Sequence, residues 1–326
     1  KFDKKSNSLW APLLQKAAAK VKGNYENLLA GIPENSLRLL TGAPVFHYEV
    51  SQLHNDSIWD YIKSGIDSHY LMLAGTDGYE NACGVRPMHS YSIFSAFFLK
   101  DKYGNIKHKM LMMRDPTGEA TYSDKWNNHD RRSWTPFYRK QVPYGINPLR
   151  QKTNGVFFIE IQRFGRCFET FQIAHQRDQE GYQSVWYDIE NDNGAQQNLY
   201  AIPTKSNQDS IYVTAETYMN GIVPFDVHCQ GQLPLHVLFV GIKDETTGKY
   251  KQIQKDFYQE VSPVPVVIKE DQYLKDQTIG IFVRYEWNRV PEGARDITVK
   301  VYSKMADLQL KDEKGRTNMR RMDSIS

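Results

Sequence analysis

Apolar side chains at Trp10, Leu13, Leu14, Ala17, Ala18 and Val21 recur with helical spacing, which predicts a one-sided helix capped by Ser8 and stopped at Gly23. Pro12 falls in its first turn, where a missing N–H does no harm. Shorter helical stretches follow at 26–30 and 56–64, the second closed by Gly65, and Tyr70 to Ala74 is an apolar run of strand length ending in the turn Gly75-Thr76-Asp77-Gly78. Two longer apolar runs flank the polar stretch Lys100 to Asn105, whose Gly104 and Asn105 suit positive φ, and this predicts a β-hairpin. After a polar loop over 118–128, Ser133 is placed to cap a short helix ending before Pro143. A strand is expected at 156–161, with Phe164, Cys167, Phe168 and Phe171 on a helical face packed against it. From Tyr182 onwards the pattern changes to short strands between turns, at 182–188, 211–219, 234–242, 250–260, 264–268, 280–287 and 297–303. Regular strands without helices predict an antiparallel sandwich. The expected organisation is an α+β lobe over 1–174, an all-β domain over 175–304 and a charged tail or linker over 305–326.

The hairpin also suggests chemistry. A turn centred near Lys102 sets His89 opposite Asp115, Tyr91 opposite Met113 and Ile93 opposite Leu111, with facing Cβ atoms about 5 Å apart. An imidazole and a carboxylate would then meet at the open end of the hairpin, as a base with its orienting partner. The plainer alternative is an ordinary polar pair at a strand end. Cys83, six residues before His89, has to be weighed as a nucleophile. A catalytic thiol needs its pKa lowered by a helix N-terminus or an imidazolium, and Cys83 sits in a loop with no helix beginning after it. It is read as a packed thiol, and Cys167 and Cys229 as structural.

Composition narrows the setting. The 326 residues suit two domains of ordinary size. Three widely spaced cysteines argue for a reducing compartment and against a disulfide framework. The apolar runs are too short for a membrane span. The net charge of +3 is spread among both signs, which gives no stripe for nucleic acid. Lys1 is not an initiator Met and no signal segment follows it, so the chain is expected to begin inside a longer protein.

His89-Ser90-Tyr91-Ser92-Ile93 and Met113-Arg114-Asp115-Pro116-Thr117-Gly118 resemble the two catalytic motifs of the calpain family of cysteine proteases, His-Ala-Tyr-Ser-Val and Leu-Arg-Asn-Pro-Trp-Gly. Further similarities run in the same order. Trp10 to Lys20 with Gly23-Asn24-Tyr25-Glu26 resembles the family's Trp-x-x-Leu-Leu-Glu-Lys-Ala helix, and Leu40-Thr41-Gly42 its Phe-Thr-Gly turn. Tyr122-Ser123-Asp124, Trp134 and Asn154-Gly155-Val156-Phe157-Phe158-Ile159 stand where the family has Trp-Ser-Asp, Trp and Asp-Gly-Glu-Phe-Trp-Met. Gly280 to Val283 and Pro291 to Ser303 resemble the closing hairpin of its C2-like sandwich.

The resemblance implies a papain-like second protease lobe followed by a C2-like β-sandwich. In the family the first lobe gives the Cys, at a helix N-terminus, and an oxyanion Gln, while the second gives the His and Asn. No Gly-Asp-Cys-Trp stretch is present here, so His89 and Asp115 are expected as a half-site or its relic. Asp115 replaces the family's Asn, and Thr117 the Trp that covers the His–Asn bond. The resemblance also implies calcium. Asp124 keeps one ligand position, but Asn154 and Val156 occupy two carboxylate positions, so Ca²⁺ binding is expected to be weak or lost and no other cofactor is expected. The expected role is a non-catalytic structural or interaction module in a larger protein assembly, cytoplasmic and of cytoskeletal or ciliary type. The alternative is the second lobe of an active intracellular endopeptidase whose Cys lies upstream of Lys1.

Overall fold

The computed structural model describes residues 9–21, 23–28, 31–79, 82–151, 154–204, 209–217, 235–258, 264–287, 295–305, 308–317 and 319–321. Two helices open the chain. Helix α1, Trp10–Val21, follows the predicted spacing; its expected cap Ser8 lies outside the described residues. Helix α2, Pro33–Thr41, starts with Pro in its first turn and ends at Gly42, whose φ of 65° lets its N–H bond back to Arg38 O.

Residues Val45–Gln176 form one compact unit. Its elements are β1 (Val45–Glu49), α3 (Asn55–Asp67), β2 (Leu71–Gly75), β3 (Ser90–Lys100), β4 (Ile106–Arg114), α4 (Pro136–Arg139), β5 (Val156–Glu160), α5 (Ile161–Phe164) and β6 (Thr170–Ala174). The strands make one antiparallel sheet in the order β1-β6-β2-β3-β4-β5. Leu111 and Met113 point into a core with Ile58 and Ile62 of α3, Tyr91, Ile159 and Phe171. The alternate residues Met110 and Met112 enter a second core with Trp126, Trp134 and Phe158. Where both faces are covered, at residues 110–113 of β4 and 156–159 of β5, consecutive side chains have to be apolar, while the turn-side residues 106–109 of β4 are less buried and mostly polar.

The hairpin differs from the expected register. Asp101 Oδ1 accepts hydrogen bonds from the N–H groups of Tyr103 and Asn105, so the loop closes over Asp101–Asn105 rather than around Lys102. Ile93 therefore faces Met113, a shift of two residues, and a bulge at Phe94 shifts the pairing again so that Ala96 faces Leu111. A shift of two keeps every side chain on its own face of the sheet. The expected helical face over Phe164 to Phe171 is also corrected. Helix α5 ends after Phe164, and Phe171 lies on β6, paired with Tyr48 and Ala74. A short helix, a turn and a strand bring the same four residues into one core.

The second unit contains residues 1–44 and 177–326. Its strands are β7 (Gln183–Ile189), β8 (Gln197–Ile202), β9 (Ile211–Thr217), β10 (Leu235–Lys243), β11 (Tyr250–Tyr258), β12 (Val266–Ile268), β13 (Ile279–Glu286), β14 (Ile297–Ser303), β15 (Gln309–Asp312) and β16 (Met319–Arg321). They form two five-stranded antiparallel sheets, β11-β10-β13-β8-β15 and β12-β9-β14-β7-β16. Val213, Val299 and Val301 of one sheet share a core with Leu238, Ile281 and Leu310 of the other. The segment expected as a tail is therefore corrected: Gln309–Asp312 pairs with β8 and Met319–Arg321 with β7. Three buried side chains, Met305, Leu308 and Leu310, carry this segment into the sandwich core, with Leu310 set between the polar Gln309 and Lys311 of β15, a signal too sparse for periodicity to show. Both opening helices, expected in the first lobe, fall in this unit too; Arg38 Nε of α2 lies 3.7 Å from Glu216 Oε1, and Gly42 O, just after α2, accepts from Lys300 Nζ. Among the described residues no helix is long and apolar enough to cross a membrane.

Candidate functional site

The open end of the β3–β4 hairpin brings together residues from three segments. Met88, with φ of 46°, turns the chain immediately before His89, and Thr76 ties it there: His89 N–H donates to Thr76 Oγ1 at 3.0 Å, and the Thr76 hydroxyl donates to Arg86 O at 2.7 Å. Asp115 follows the last residue of β4, and its N–H donates to Gly155 O at 2.9 Å. Gly155 is required at this contact. Its φ is +74°, and a Cβ there would lie 2.1 Å from Asp115 O.

His89 Nε2 lies 3.0 Å from Asp115 Oδ1. A carboxylate only accepts, so Nε2 carries the proton in this contact. The other nitrogen, Nδ1, makes no hydrogen bond among the described residues. Tyr91 meets the imidazole edge-on, with ring centroids 4.9 Å apart, and its hydroxyl accepts from Arg86 N–H at 2.7 Å. Extending the observed register puts His89 diagonal to Asp115 rather than opposite it, and the long side chain spans the offset.

Asp115 is completely buried. Oδ1 also accepts from the Thr117 N–H at 2.8 Å and the Thr117 hydroxyl at 2.7 Å, while Oδ2 faces Arg86 Nε at 3.3 Å. Burial alone would push this carboxyl up, but the Thr117 donors and His89 outweigh it and hold it below the usual aspartate range. Arg86 in turn reaches Glu119 at 2.8 Å. Thr117 thus does more than fill the position of a missing indole, because it supplies two donors to the carboxylate. Thr76, Arg86 and Glu119 were not among the residues expected here. The one signal for Arg86 is a cation three residues before His89, and its reach to Asp115 depends on how the loop folds.

The arrangement can orient an imidazole and stabilise it when protonated, which is the base half of a nucleophilic site. Neither Cys83 nor Cys167 supplies the thiolate. The two are joined in a disulfide, with an S–S distance of 2.01 Å and Cα atoms 5.6 Å apart. This corrects the sequence reading of Cys83 as a packed thiol and of the cysteines as arguing against disulfides. The reducing-compartment argument for a cytoplasmic location loses its support with it. Cys229 lies outside the described residues.

The oxygens that the resemblance offers to calcium are engaged by protein donors. Asp124 Oδ2 accepts from Arg163, and Oδ1 from Lys125 N–H at 2.7 Å. Burial opposes ionisation of Asp124, but these donors hold its carboxyl below the usual range. Asn154 Oδ1 accepts from Val156 N–H, Asn154 O from Arg114 Nε, and Val156 O from Asn128 Nδ2. Calcium takes about six to eight oxygens, usually including several carboxylates. One carboxylate already paired with a guanidinium does not fit that ion, and among the described residues no three His, Cys, Asp or Glu side chains gather as a metal site.

A family model described as "Calpain family cysteine protease" matches residues 2–175. The calpain-type cysteine protease ADL1 of Oryza sativa subsp. japonica is 25% identical over 182 residues, covering 52% of this chain and 8% of that protein. The calpain-1 catalytic subunit of Rattus norvegicus is 25% identical over 181 residues, covering 52% of this chain and 24% of that one. The chain therefore spans a quarter or less of these relatives. A solved structure of the cysteine protease and lectin-like domains of Cwp84 from Clostridium difficile aligns over 79% of this chain and 52% of that one, with 8% identity and a TM-score of 0.21, too slight a likeness to carry an argument. With more than half of its length matched by the family's own pattern, this chain belongs to the calpain family of cysteine proteases.

Proposed function

We propose that this chain is a calpain-type module that keeps the His half of the site without hydrolysing peptides, and that it acts as a structural or interaction part of a larger protein assembly. In this reading Val45–Gln176 corresponds to the papain-like second lobe and the two five-stranded sheets to the C2-like sandwich. The observation that carries it is the Cys83–Cys167 bond beside an otherwise well-formed His89–Asp115 pair. Both described cysteines are committed to a staple, so neither serves as a nucleophile for this base.

One observation favours a second reading, in which the lobe completes an active endopeptidase with a thiolate from another segment. The imidazole is held at one nitrogen by a buried carboxylate and, among the described residues, makes no hydrogen bond at the other, the disposition a general base requires. The test is to incubate the chain, and the longest native polypeptide containing it, with a fluorogenic peptide and a peptidyl electrophile that labels active-site thiols. No turnover and no stoichiometric labelling are expected from either. Turnover that is lost on His89→Ala, with the fold intact by circular dichroism, would overturn the non-catalytic reading and establish the second.

A further inference from the structure

Two loops near His89, those bearing Cys83 and Asp124, converge on the segment that follows β5. Arg163, on α5, pairs with Asp124; Cys167, just beyond α5, is bonded to Cys83. The loops bearing Asp124 and Cys83 are themselves joined, since Ser123 N–H donates to Cys83 O at 2.8 Å and the Ser123 hydroxyl donates to the same oxygen at 3.2 Å. They approach so closely at Gly84 that a Cβ there would lie 2.6 Å from Ser123 Oγ and 2.8 Å from Thr121 O. Two residues further on, Arg86 reaches Asp115.

In this closed arrangement the acidic loop presents a carboxylate where its charge has to be balanced. The balancing cation is a guanidinium covalently part of the chain, and Asp124 Oδ1 and both oxygens of Asn154 accept from N–H donors. We propose that Arg163 is a built-in cation for this loop, so that the arrangement around His89 and Asp115 is held by Asp124–Arg163 and Cys83–Cys167 without a divalent metal. A guanidinium makes directional hydrogen bonds and is always charged, so it can hold a carboxylate at any calcium concentration. The loop should then be indifferent to calcium and sensitive to Arg163. This holds whether or not the His89–Asp115 pair serves catalysis.

Thermal unfolding of the full chain, in chelator and in up to about 5 mM calcium, tests this. The wild-type midpoint is expected to stay the same throughout. Arg163→Gln and Asp124→Asn should each lower it by about 3 °C, and the double variant should fall no further than either single one. Hydrogen exchange should quicken at Ser123 N–H in Arg163→Gln, while Arg163→Lys, which keeps the charge, should recover part of the loss. A calcium-dependent rise in the wild-type midpoint would overturn the proposal, as would an Arg163→Gln protein with unchanged midpoint and unchanged exchange. If Arg163→Gln does not fold, the wild-type calcium series and the Arg163→Lys midpoint decide the matter, a loss in Arg163→Lys as deep as misfolding counting against a charge role.

Discussion

At the scale of single residues, the geometry turns on Asp115, where an amide would have satisfied fewer partners. Its two oxygens divide the work: Oδ1 takes His89 and both Thr117 donors, and Oδ2 faces Arg86. In Asp115→Asn the amide oxygen can still serve Thr117 and His89, but the new N–H group would face the Arg86 donor and the ion pair would be gone. The expected loss near neutral pH is about 1–2 kcal/mol. The pH dependence has a definite sign. Because the folded-state pKa of Asp115 lies below its unfolded value, its contribution is fully present above about pH 4 and is lost as pH falls through the lowered folded value. Urea unfolding of wild type and Asp115→Asn at a series of pH values should show the difference between them shrinking as pH falls below about 4. A gap that does not change over that range would show that the carboxylate is not held in its ionised form.

At the scale of elements, the hairpin was legible because the apolar stretches 96–99 of β3 and 110–113 of β4 enter the two cores and flank a polar turn. Its register was less so. Which residues close the turn depends on the Asp101 side chain bonding two backbone N–H groups, and the bulge at Phe94 has no signature in alternation. The His89–Asp115 encounter survives that error because a two-residue slip preserves the face. The Asp124–Arg163 pair joins residues 39 apart through a turn and a four-residue helix, and no local spacing marks it. The disulfide was illegible for a similar reason: its cysteines are 84 residues apart, and sparse cysteines point as readily to free thiols. Counting thiols in denaturant is expected to give one per chain without reductant and three with it, from the three cysteines of the sequence and the one bond. Three in both conditions would remove the staple, and with it the main argument against a free Cys83. Closing a loop of this length is worth up to about 4.5 kcal/mol in the chain-entropy account, so Cys167→Ser should lower the unfolding free energy by several kcal/mol, on the order of that figure.

At the scale of the whole molecule, the chain is organised as an insertion rather than as two domains in series. Val45 and Ala174, near the two ends of one unit, are hydrogen-bonded neighbours on β1 and β6, so the chain enters and leaves at adjacent points. A unit with adjacent ends and two cores of its own asks little of the rest of the chain, and a fragment of residues 45–176 should unfold cooperatively by itself. The other unit is in the opposite position. Its first 44 residues supply Arg38 opposite Glu216 and the Gly42 carbonyl that accepts from Lys300. Burial pushes the Lys300 amine below its ordinary value, the sign of a charge that is expensive to hold without partners. A fragment of residues 177–326 should therefore be less stable than the same fragment joined to residues 1–44 through a short linker replacing the insert, by about 1–2 kcal/mol for the two half-buried contacts. Equal stability of the two fragments would show that residues 1–44 are not integral to the second unit and would return the boundary to the one the sequence suggested, near residue 174.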